Sequence, residues 1–300
     1  MKYTNKFRLP KEIEHWLKSD DYDYSNDEYH LSATTLLKST RMILLEKRWS
    51  ENLIVDISDL ITARYGSAIH DSFEKSNCPN TIHEKRYYRK IDDYTISGKI
   101  DLILDKDTKP KLADLKSTSV WTYLLGSRIE DYIIQLSIYR WILQNEEKDL
   151  IGKNLSNEAF IYYIFTDWSK KEAIAKKDYP QTRIKPISIN LLTLNETENF
   201  IKEKIEQIKI FKDTRDSLLP YCTKKELWQE DEKFAVIKKG AKKAIKVLNT
   251  MHEAIKLKNA MKEKDEYNIV KREEKAKRCN YCKVSSYCSQ YQMLKEKNLI

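Results

Sequence analysis

The stretch that decides the fold runs Gly98-Lys99-Ile100-Asp101 and resumes, after a short gap, at Asp114-Leu115-Lys116. Apolar residues alternate around Asp101, as in a strand that aims one acid out of an otherwise packed sheet. The connection, residues 105–111, contains Lys-Pro and predicts a hairpin loop. The two strands therefore pair antiparallel and bring Asp101 near Asp114. Two carboxylates with a lysine beside them indicate metal-assisted chemistry.

The composition is that of a folded, basic protein. The chain has 300 residues, 41% of them hydrophobic, with 19 Tyr and 6 Trp to fill a core, so it forms one large domain or two small ones. Only 5 Gly and 6 Pro argue against solenoids and propellers. The formal net charge of +9 favours a polyanionic partner, because lysines near phosphates release counterions on binding. High lysine use can also reflect genome composition.

The sequence carries no membrane or secretion signal. No apolar run reaches the roughly 18 residues that span a bilayer, and the first 14 residues are too polar for a signal peptide. The five cysteines, three of them within ten residues near the C-terminus, do not resemble the disulfide framework of a secreted domain. We therefore expect a cytoplasmic protein in a reducing compartment, with no membrane partner, whose cysteines ligate a metal or a cluster.

The chain divides by composition into three parts. Residues 1–30 are charged, with a tyrosine-rich acidic run over residues 20–29, and predict a surface arm. Residues 31–218 have the helix and strand patterns of an α/β core. Residues 219–300 predict a basic, helical appendage that holds the cysteines and packs on the core. Its lysine run is ordinarily a solvated helix face, and contact with phosphates is the alternative.

Two predicted helices carry polar residues at helical spacing. The helix around residues 57–75 places Gly66, His70 and Glu74 on one face. A helical histidine is more often a packing residue than a ligand, but here a strand Asp and an Asp-x-Lys follow it in the chain. The helix over residues 131–145 is apolar around most of its circumference, as in a buried crossover helix, and residues 160–165 predict a central strand.

The crossover helix also contains Gln135 and Tyr139, four residues apart. A buried glutamine costs free energy unless it finds a hydrogen-bond partner. Gln135 therefore either makes a hydrogen bond within the core or points to a functional site.

Taken together, these motifs resemble the RecB-type branch of the PD-(D/E)XK nucleases. The resemblance covers roughly residues 31–165 and rests on G-x-x-x-H-x-x-x-E, G-x-I-D, D-L-K and Q-x-x-x-Y, in that order. The C-x2-C-x5-C tail is similar to that of the branch's iron–sulfur exonucleases, including the AddB subunit and the CRISPR-adaptation exonucleases. The resemblance implies an α/β, restriction-endonuclease-like fold with a mixed central sheet flanked by helices. It also implies a metal-dependent DNA nuclease, an exonuclease of recombination, repair or phage DNA processing.

The resemblance further implies a catalytic site that uses Mg²⁺ or Mn²⁺. Its implied metal ligands are His70, Asp101, Asp114 and the backbone carbonyl of Leu115, and hard oxygen ligands suit these ions. The ion lowers the pKa of a bound water and offsets charge on phosphorus. Lys116 activates or orients that water and adds positive charge.

The remaining motif residues have supporting roles in such a site. Glu74 supports the metal ligands, while Gln135 and Tyr139 touch the substrate backbone or order the site. DNA is the implied partner, and a separate helicase or recombination protein is a further one, because the chain contains no P-loop motif of its own.

The cysteines depart from the family pattern in one respect. Iron–sulfur members place their first cysteine before the histidine motif, but the equivalent stretch, residues 37–41, has none. Cys222 is the expected fourth partner of Cys279, Cys282 and Cys288, because it opens the same appendage. Four thiolates can hold a [4Fe-4S] cluster or a structural Zn²⁺, and free reduced thiols are the third interpretation. In either metal case, we expect a structural staple with no part in hydrolysis.

Two other functions compete with the nuclease hypothesis. One is a non-catalytic nucleic-acid-binding protein on a degenerate nuclease scaffold, whose cysteine module and basic helices do the binding. The other is a structural subunit of a larger complex. The intact set of His70, Asp101, Asp114 and Lys116 counts against the binding protein, whereas the structural subunit stays open because relatives often act with a helicase or partner.

Overall fold

The computed structural model describes residues 2–19, 25, 27–76, 78–144, 150 and 154–300. The α-helices are α1 (Lys11–Lys18), α2 (Ala33–Leu36), α3 (Thr40–Arg48), α4 (Ile61–Glu74), α5 (Val120–Leu124), α6 (Ile129–Leu143), α7 (Lys170–Ala175), α8 (Leu194–Phe211), α9 (Met251–Asn259) and α10 (Ser289–Glu296). The strands are β1 (Lys2–Thr4), β2 (His30–Ser32), β3 (Ile54–Asp56), β4 (Ile82–Ile91), β5 (Tyr94–Leu104), β6 (Lys111–Thr118), β7 (Glu158–Phe165), β8 (Ile184–Asn190), β9 (Gln229–Glu230), β10 (Lys233–Lys238), β11 (Ala244–Leu248), β12 (Tyr267–Arg272) and β13 (Lys275–Ala276).

The chain forms two compact units. The large unit consists of residues 2–38 and 54–209, and the cysteine unit consists of residues 39–53 and 210–300. The sequence interpretation separated the C-terminal part at residue 219 and did not anticipate that α3 belongs with it. No helix of the described residues is both long and apolar enough to cross a membrane.

The large unit contains a six-stranded mixed sheet built around β5. Strand β4 pairs antiparallel with one edge of β5 along most of its length. The other edge of β5 is shared: β2 pairs parallel with residues 95–97, and β6 pairs antiparallel with residues 102–104. Strand β6 then continues beside β7 in parallel, and β8 closes the sheet as an antiparallel strand. The predicted mixed sheet with flanking helices, the hairpin and the central strand at residues 160–165 are confirmed.

Strand β5 is buried because the sheet is covered on both faces. Ile96, Ile100 and Ile103 are almost fully buried, although they do not all point to one face. Such a near-continuous apolar run is typical of a central strand with packed layers on both sides. Helix α6 forms part of this cover, and its residues 135–143 are buried. The predicted crossover helix is thus observed.

Gly98 on β5 allows α6 to pack closely. A methyl group added at Gly98 would come within 2.5 Å of the ring of Tyr139. The Tyr139 ring is itself buried, so it cannot swing out to make room. The glycine of the G-x-I-D motif is therefore required by the contact between β5 and α6.

The cysteine unit differs from the prediction of a mainly helical appendage. Strand β10 pairs antiparallel with both β11 and β12, and α9 covers one face of this small sheet. Phe234 and Val236 alternate along β10 and pack on Ala254 of α9. The prediction that residues 238–277 are helical holds only for α9 and is wrong for β11 and β12, because Tyr267 and Ile269 alternate with a period of two and reach this apolar cluster from a strand. The high lysine content of residues 238–277 masked this alternation of apolar residues in the sequence.

The N-terminal residues are structured in part. Strand β1 pairs in parallel with β3, and the carboxylate of Asp56 accepts hydrogen bonds from the Thr4 hydroxyl and the Lys6 N–H, both at 2.9 Å. Much of the acidic run over residues 20–29 lies outside the described residues.

A glycine pair tests the packing of the large unit. We expect Gly98→Ala to lower the free energy of unfolding by about 1–3 kcal/mol, because the new methyl group overpacks the buried Tyr139 ring. Gly66→Ala is the matched control: its methyl group would lie 3.6 Å from the Ser117 hydroxyl, an ordinary contact. As Ala is the better helix former, this control should be neutral or stabilise by up to about 1 kcal/mol. Urea unfolding of both variants measures the difference, and equal stabilities would contradict the packing role.

Candidate metal site and cysteine cavity

Asp101 lies at a fork in the sheet of the large unit. Strand β6 pairs with β5 only as far as Ala113 and then follows β7. The N–H of Leu115 consequently has no partner on β5 and donates to the Oδ2 atom of Asp101 at 2.8 Å. Since the N–H and C=O of one strand residue point to the same edge, the Leu115 carbonyl also faces this fork. The fork brings together the acid and the backbone carbonyl expected from the sequence.

Asp114 is nearly inaccessible to solvent and forms an ion pair with Lys116. Only 1% of Asp114 is exposed, and the Nζ atom of Lys116 lies 2.5 Å from its Oδ2 atom. Neither oxygen of Asp114 accepts a hydrogen bond of ordinary geometry from the described residues. Burial disfavours a charged lysine, but the charges of Asp114 and Asp101 raise the pKa of Lys116 above its usual value. Lys116 is therefore an ammonium at neutral pH.

Helix α6 holds Lys116 from the other side. The Lys116 ammonium donates to the Oε1 atom of Gln135 at 3.2 Å, and the Gln135 amide donates to the Tyr139 hydroxyl at 2.7 Å. The structure thus resolves the alternative left by the sequence, because Gln135 both makes a buried hydrogen bond and reaches Lys116. Tyr139 supports Gln135 and packs on Gly98.

His70, Glu84 and Asp101 form a cluster that can hold a metal ion. One ligand atom of each lies within 4.8 Å of those of the other two. The Nδ1 atom of His70 is 2.7 Å from Glu84 and 3.6 Å from Asp101. Burial opposes a charge on His70, but the hydrogen bond to Glu84 and the charge of Asp101 raise its pKa overall. Helix α4 thus delivers His70 to Asp101, as expected from the sequence, and to Glu84, whereas Asp114 is not part of this cluster of three.

Glu84 is the site residue that sequence reasoning missed. It occupies the place on β4 opposite Asp101, between two residues that pair regularly with β5, and its backbone has a φ of 47°. A left-handed backbone is uncommon for glutamate and marks local strain. Its carboxylate also accepts from the Lys99 ammonium at 2.8 Å. The strand register pairs Lys99 with Arg86, two residues from Glu84, so the Lys99–Glu84 contact is diagonal and the strand pattern gave no signal for Glu84.

Glu74, predicted to support the metal ligands, lies elsewhere. It is exposed at the end of α4 and is absent from the lining of the site's cavity. Glu74 lies one helical turn beyond His70, at the end of α4. The carboxylate that contacts His70 is that of Glu84.

The donor set fits a divalent cation. Burial first, and the neighbouring charge of Asp114 second, raise the pKa of Asp101 to about 7. Among the described residues, Lys116 is the cation that pairs with Asp114, and neither Asp114 oxygen accepts a hydrogen bond of ordinary geometry, so the two buried carboxylates are undercompensated by the protein itself. Carboxylate oxygens with one imidazole are ligands that Mg²⁺ or Mn²⁺ accepts. A cation placed among them would remove this excess of negative charge.

The site opens into a cavity of about 590 Å³. Its wall includes the cations Lys38, Arg86 and Lys99, and the hydroxyl groups of Thr34 and Ser67. Such side chains donate hydrogen bonds to anionic oxygens, as phosphate groups require. The cavity therefore combines a metal-binding floor with a wall suited to a phosphate ester.

Four cysteines of the cysteine unit border a second cavity. These are Cys222, Cys279, Cys282 and Cys288, whereas Cys78 is exposed in the large unit. Burial is the main cause that raises the pKa of Cys222, of Cys282 and, to about 11, of Cys279. The predicted set of four is therefore together in space.

Helix α3 begins at this cavity. Ser39, from the stretch in which a family cysteine is missing, lies with its hydroxyl 3.2 Å from the Cys222 sulfur. Gln290 holds Cys222 in place, because its side chain accepts from the Cys222 N–H at 2.8 Å and donates to the Cys222 carbonyl at 2.9 Å. Cys222 thus stands beside the start of α3.

Arg41 on α3 is a buried cation at the same cavity. Only 1% of it is exposed, and its guanidinium lies 3.6 Å from the Cys288 sulfur. Its other polar contacts are with the Ser289 hydroxyl and the carbonyl oxygens of Asp216, Leu219 and Pro220. Among the described residues, no carboxylate forms an ion pair with Arg41, although Glu226 lines the same cavity. A buried arginine needs an anion nearby, since burial of an uncompensated charge costs several kcal/mol.

Comparison with known proteins gives the family. The chain matches the PD-(D/E)XK nuclease superfamily over residues 44–289, which is well over half of its length. The chain therefore belongs to the PD-(D/E)XK nuclease superfamily. No curated protein matches it. A solved structure titled "Crystal structure of SSO0001" shares 22% identity over 65% of this chain and 82% of its own length, with a TM-score of 0.43, a likeness too low to bear on function.

A pair of carboxylate variants tests the cluster. We expect Glu84→Gln to weaken Mn²⁺ binding by roughly 10- to 100-fold, because Glu84 holds His70 and borders the metal position. Glu74→Gln is the matched control on the exposed end of α4 and should leave the affinity unchanged. Electron paramagnetic resonance of free Mn²⁺ measures both constants. A larger loss of Mn²⁺ affinity in Glu74→Gln than in Glu84→Gln would show that Glu74, as expected from the sequence, supports the metal ligands.

Proposed function

We propose that the protein is a metal-dependent DNA nuclease, and specifically an exonuclease. The observation that supports this most strongly is the pair of buried carboxylates, Asp101 and Asp114, at the sheet fork with the Lys116 ammonium beside them. The superfamily to which the chain belongs hydrolyses phosphodiester bonds with Mg²⁺ or Mn²⁺ at such a pair. The exonuclease role and service in recombination, repair or phage DNA processing follow the motif resemblance.

The residues of the fork would hold the catalytic ion. Its ligands would be Asp101, Asp114, the Leu115 carbonyl and His70, and Glu84 adds a carboxylate at the same place. When bound, the ion lowers the pKa of a water and stabilises negative charge on the phosphate oxygens. The protein contributes prearranged oxygen donors that need little reorganisation when the ion arrives.

Lys116 acts on the water that attacks the phosphate. Because it is protonated, it can donate hydrogen bonds to the attacking water and to a phosphate oxygen, and its charge favours the transition state. Gln135 fixes the direction of the ammonium through the 3.2 Å hydrogen bond, and Tyr139 fixes Gln135. We propose that this relay orders the site and that the cations of the cavity wall bind the DNA backbone.

Two variants of strand β6 test hydrolysis. Lys116→Met should lower the rate of Mn²⁺-dependent DNA cleavage by at least about 100-fold, as expected when one charge that stabilises the transition state is lost. Asp114→Asn should abolish cleavage, since it removes a metal ligand while keeping the shape. Lys111→Met is the matched control on the same strand. Lys111 forms an ion pair of 2.8 Å with Glu158 and does not line the cavity of the proposed site, so this variant should cleave DNA at the wild-type rate.

The same assay separates the competing functions. End-labelled linear DNA and closed circular DNA are digested in parallel, and resistance of the circle identifies an exonuclease. Undiminished cutting by both Lys116→Met and Asp114→Asn would refute the proposed mechanism. Binding without turnover across Mg²⁺, Mn²⁺ and other divalent ions would instead favour a non-catalytic binding protein or a structural subunit. Any motor for unwinding would be a separate helicase.

We propose that Cys222, Cys279, Cys282 and Cys288 hold a [4Fe-4S] cluster or a Zn²⁺ ion. The charge of Arg41 supports this, because four thiolates around either centre carry net negative charge and supply the anion that the buried guanidinium otherwise lacks. Thiolates persist in a reducing compartment, which agrees with the proposed cytoplasmic location. The centre would tie Cys222 to the chain end and take no part in hydrolysis.

Cysteine variants purified without oxygen test this centre. Cys282→Ser and Cys222→Ser should lose most of the bound metal, whereas Cys78→Ser, exposed in the large unit, should keep it. Metal analysis with the visible absorption spectrum distinguishes the two centres, because iron–sulfur clusters absorb broadly near 400 nm and zinc does not. Full metal content in Cys222→Ser would exclude it as the fourth ligand, and metal-free wild-type protein would leave only reduced thiols.

A further inference from the structure

We propose that Trp228, Tyr281 and Arg278 form a platform on the cysteine unit that stacks the bases of single-stranded DNA. The rings of Trp228 and Tyr281 lie 6.3 Å apart, and the Arg278 guanidinium lies 5.3 Å from the centre of the Trp228 ring. These rings are accessible, with 42% of Trp228 and 78% of Tyr281 exposed. This inference rests on the proposed function for its choice of DNA and adds a second binding site to it.

Trp228 is held in a conformation that a tryptophan rarely adopts. It follows a single helical turn that starts at Thr223, whose side chain and N–H exchange hydrogen bonds with Glu226. The turn ends with two backbone bonds, Trp228 to Lys225 and Gln229 to Lys224, as in the motif that usually ends with glycine.

The backbone of Trp228 has a φ of 49°, a region in which a bulky side chain is strained. A glycine would satisfy the same two hydrogen bonds without this cost. The large exposed ring at this position is therefore not explained by the turn, and strain of this kind points to function.

The other two members are fixed beside the cysteine cavity. Arg278 and Tyr281 belong to the short 3₁₀ turn Lys277–Tyr281, which contains Cys279 and leads into Cys282. The N–H of Arg278 donates to the Leu227 carbonyl at 3.0 Å, so the two segments that carry the platform are joined directly. A centre at the cysteines would hold both segments still.

The charge of the unit identifies a polyanion as the partner. Residues 39–53 and 210–300 contain 25 Lys and Arg against 15 Asp and Glu, a formal charge of +10, whereas the whole chain carries +9. The large unit, with its metal site, is thus close to neutral. Long-range attraction of a nucleic acid is concentrated in the unit that carries the platform.

The exposed ring faces select unpaired bases over a duplex. In double-stranded DNA the bases are stacked on one another, so their faces are not available to a protein surface. In a single strand each base has a free face that an aromatic ring can cover, with an arginine adding a cation–π contact. An exposed tryptophan, tyrosine and arginine in a basic unit therefore fit a single strand or the frayed end of a duplex.

Anisotropy of a fluorescein-labelled oligo(dT), in buffer without added divalent ions, tests the platform without any cleavage. We expect Trp228→Gly and Tyr281→Ser each to raise the dissociation constant by about 5- to 100-fold, the range for loss of one stacked base. Trp16→Ser is the control, because Trp16 is 43% exposed in the large unit, and its affinity should not change. The thermal midpoint of Trp228→Gly should match the wild type, since glycine relieves the strained backbone.

A second ligand separates stacking from charge. An abasic oligonucleotide of equal length keeps the phosphates but offers no bases, so it should bind wild type and Trp228→Gly equally, and more weakly than oligo(dT) binds wild type. Wild-type affinity for oligo(dT) in both platform variants would overturn the inference and leave the surface to a protein partner. If Trp228→Gly lost as much affinity for the abasic ligand as for oligo(dT), the inference would also be overturned. Because no divalent ion is supplied for cleavage, these results stand whether or not Asp114→Asn abolishes cleavage.

Discussion

The hydrogen bond from the Leu115 N–H to the Asp101 carboxylate determines the geometry of the candidate metal site. It forms because β6 leaves β5 after three paired residues and joins β7. If β6 had stayed paired with β5, this N–H would bond a backbone carbonyl and Asp101 would face a closed ladder. The divergence of two strands thus creates a gap that is lined by an acid and a backbone carbonyl, with the second acid, Asp114, one residue away.

The gap concentrates buried negative charge, and neighbouring cations offset part of it. Lys116 neutralises Asp114, while Lys99 and His70 share the carboxylate of Glu84. Even so, the pKa of Asp101 is raised to about 7, because burial and Asp114 both oppose its ionisation. A site that remains undercompensated by its own residues is prepared to bind a cation. The strained backbone of Glu84 is consistent with selection for binding rather than for stability.

The two units differ in the property that each contributes. The large unit supplies the buried carboxylates and is close to neutral overall, whereas the cysteine unit carries the positive charge, the exposed aromatic rings and the cysteine cavity. Cutting requires fixed donor atoms in a packed sheet, while capture of a flexible strand requires accessible ring faces and mobile cations. In a small basic unit, a thiolate-held centre would supply the rigidity that a limited apolar core does not.

The sequence by itself determined the superfamily, from the order of its motifs, and the sheet with its hairpin, because strand residues follow a strict period. It also proposed His70, Asp101, Asp114 and Lys116 as site residues. It did not determine the sheet in residues 238–277, where lysines obscured a period of two. Only the tertiary structure showed Glu84, whose left-handed backbone breaks the strand period, and Arg41, whose carbonyl and thiol partners lie far along the chain. The local sequence pattern predicts which face of a helix or strand a side chain occupies. Which charged groups come into contact depends on how segments distant in the sequence pack together.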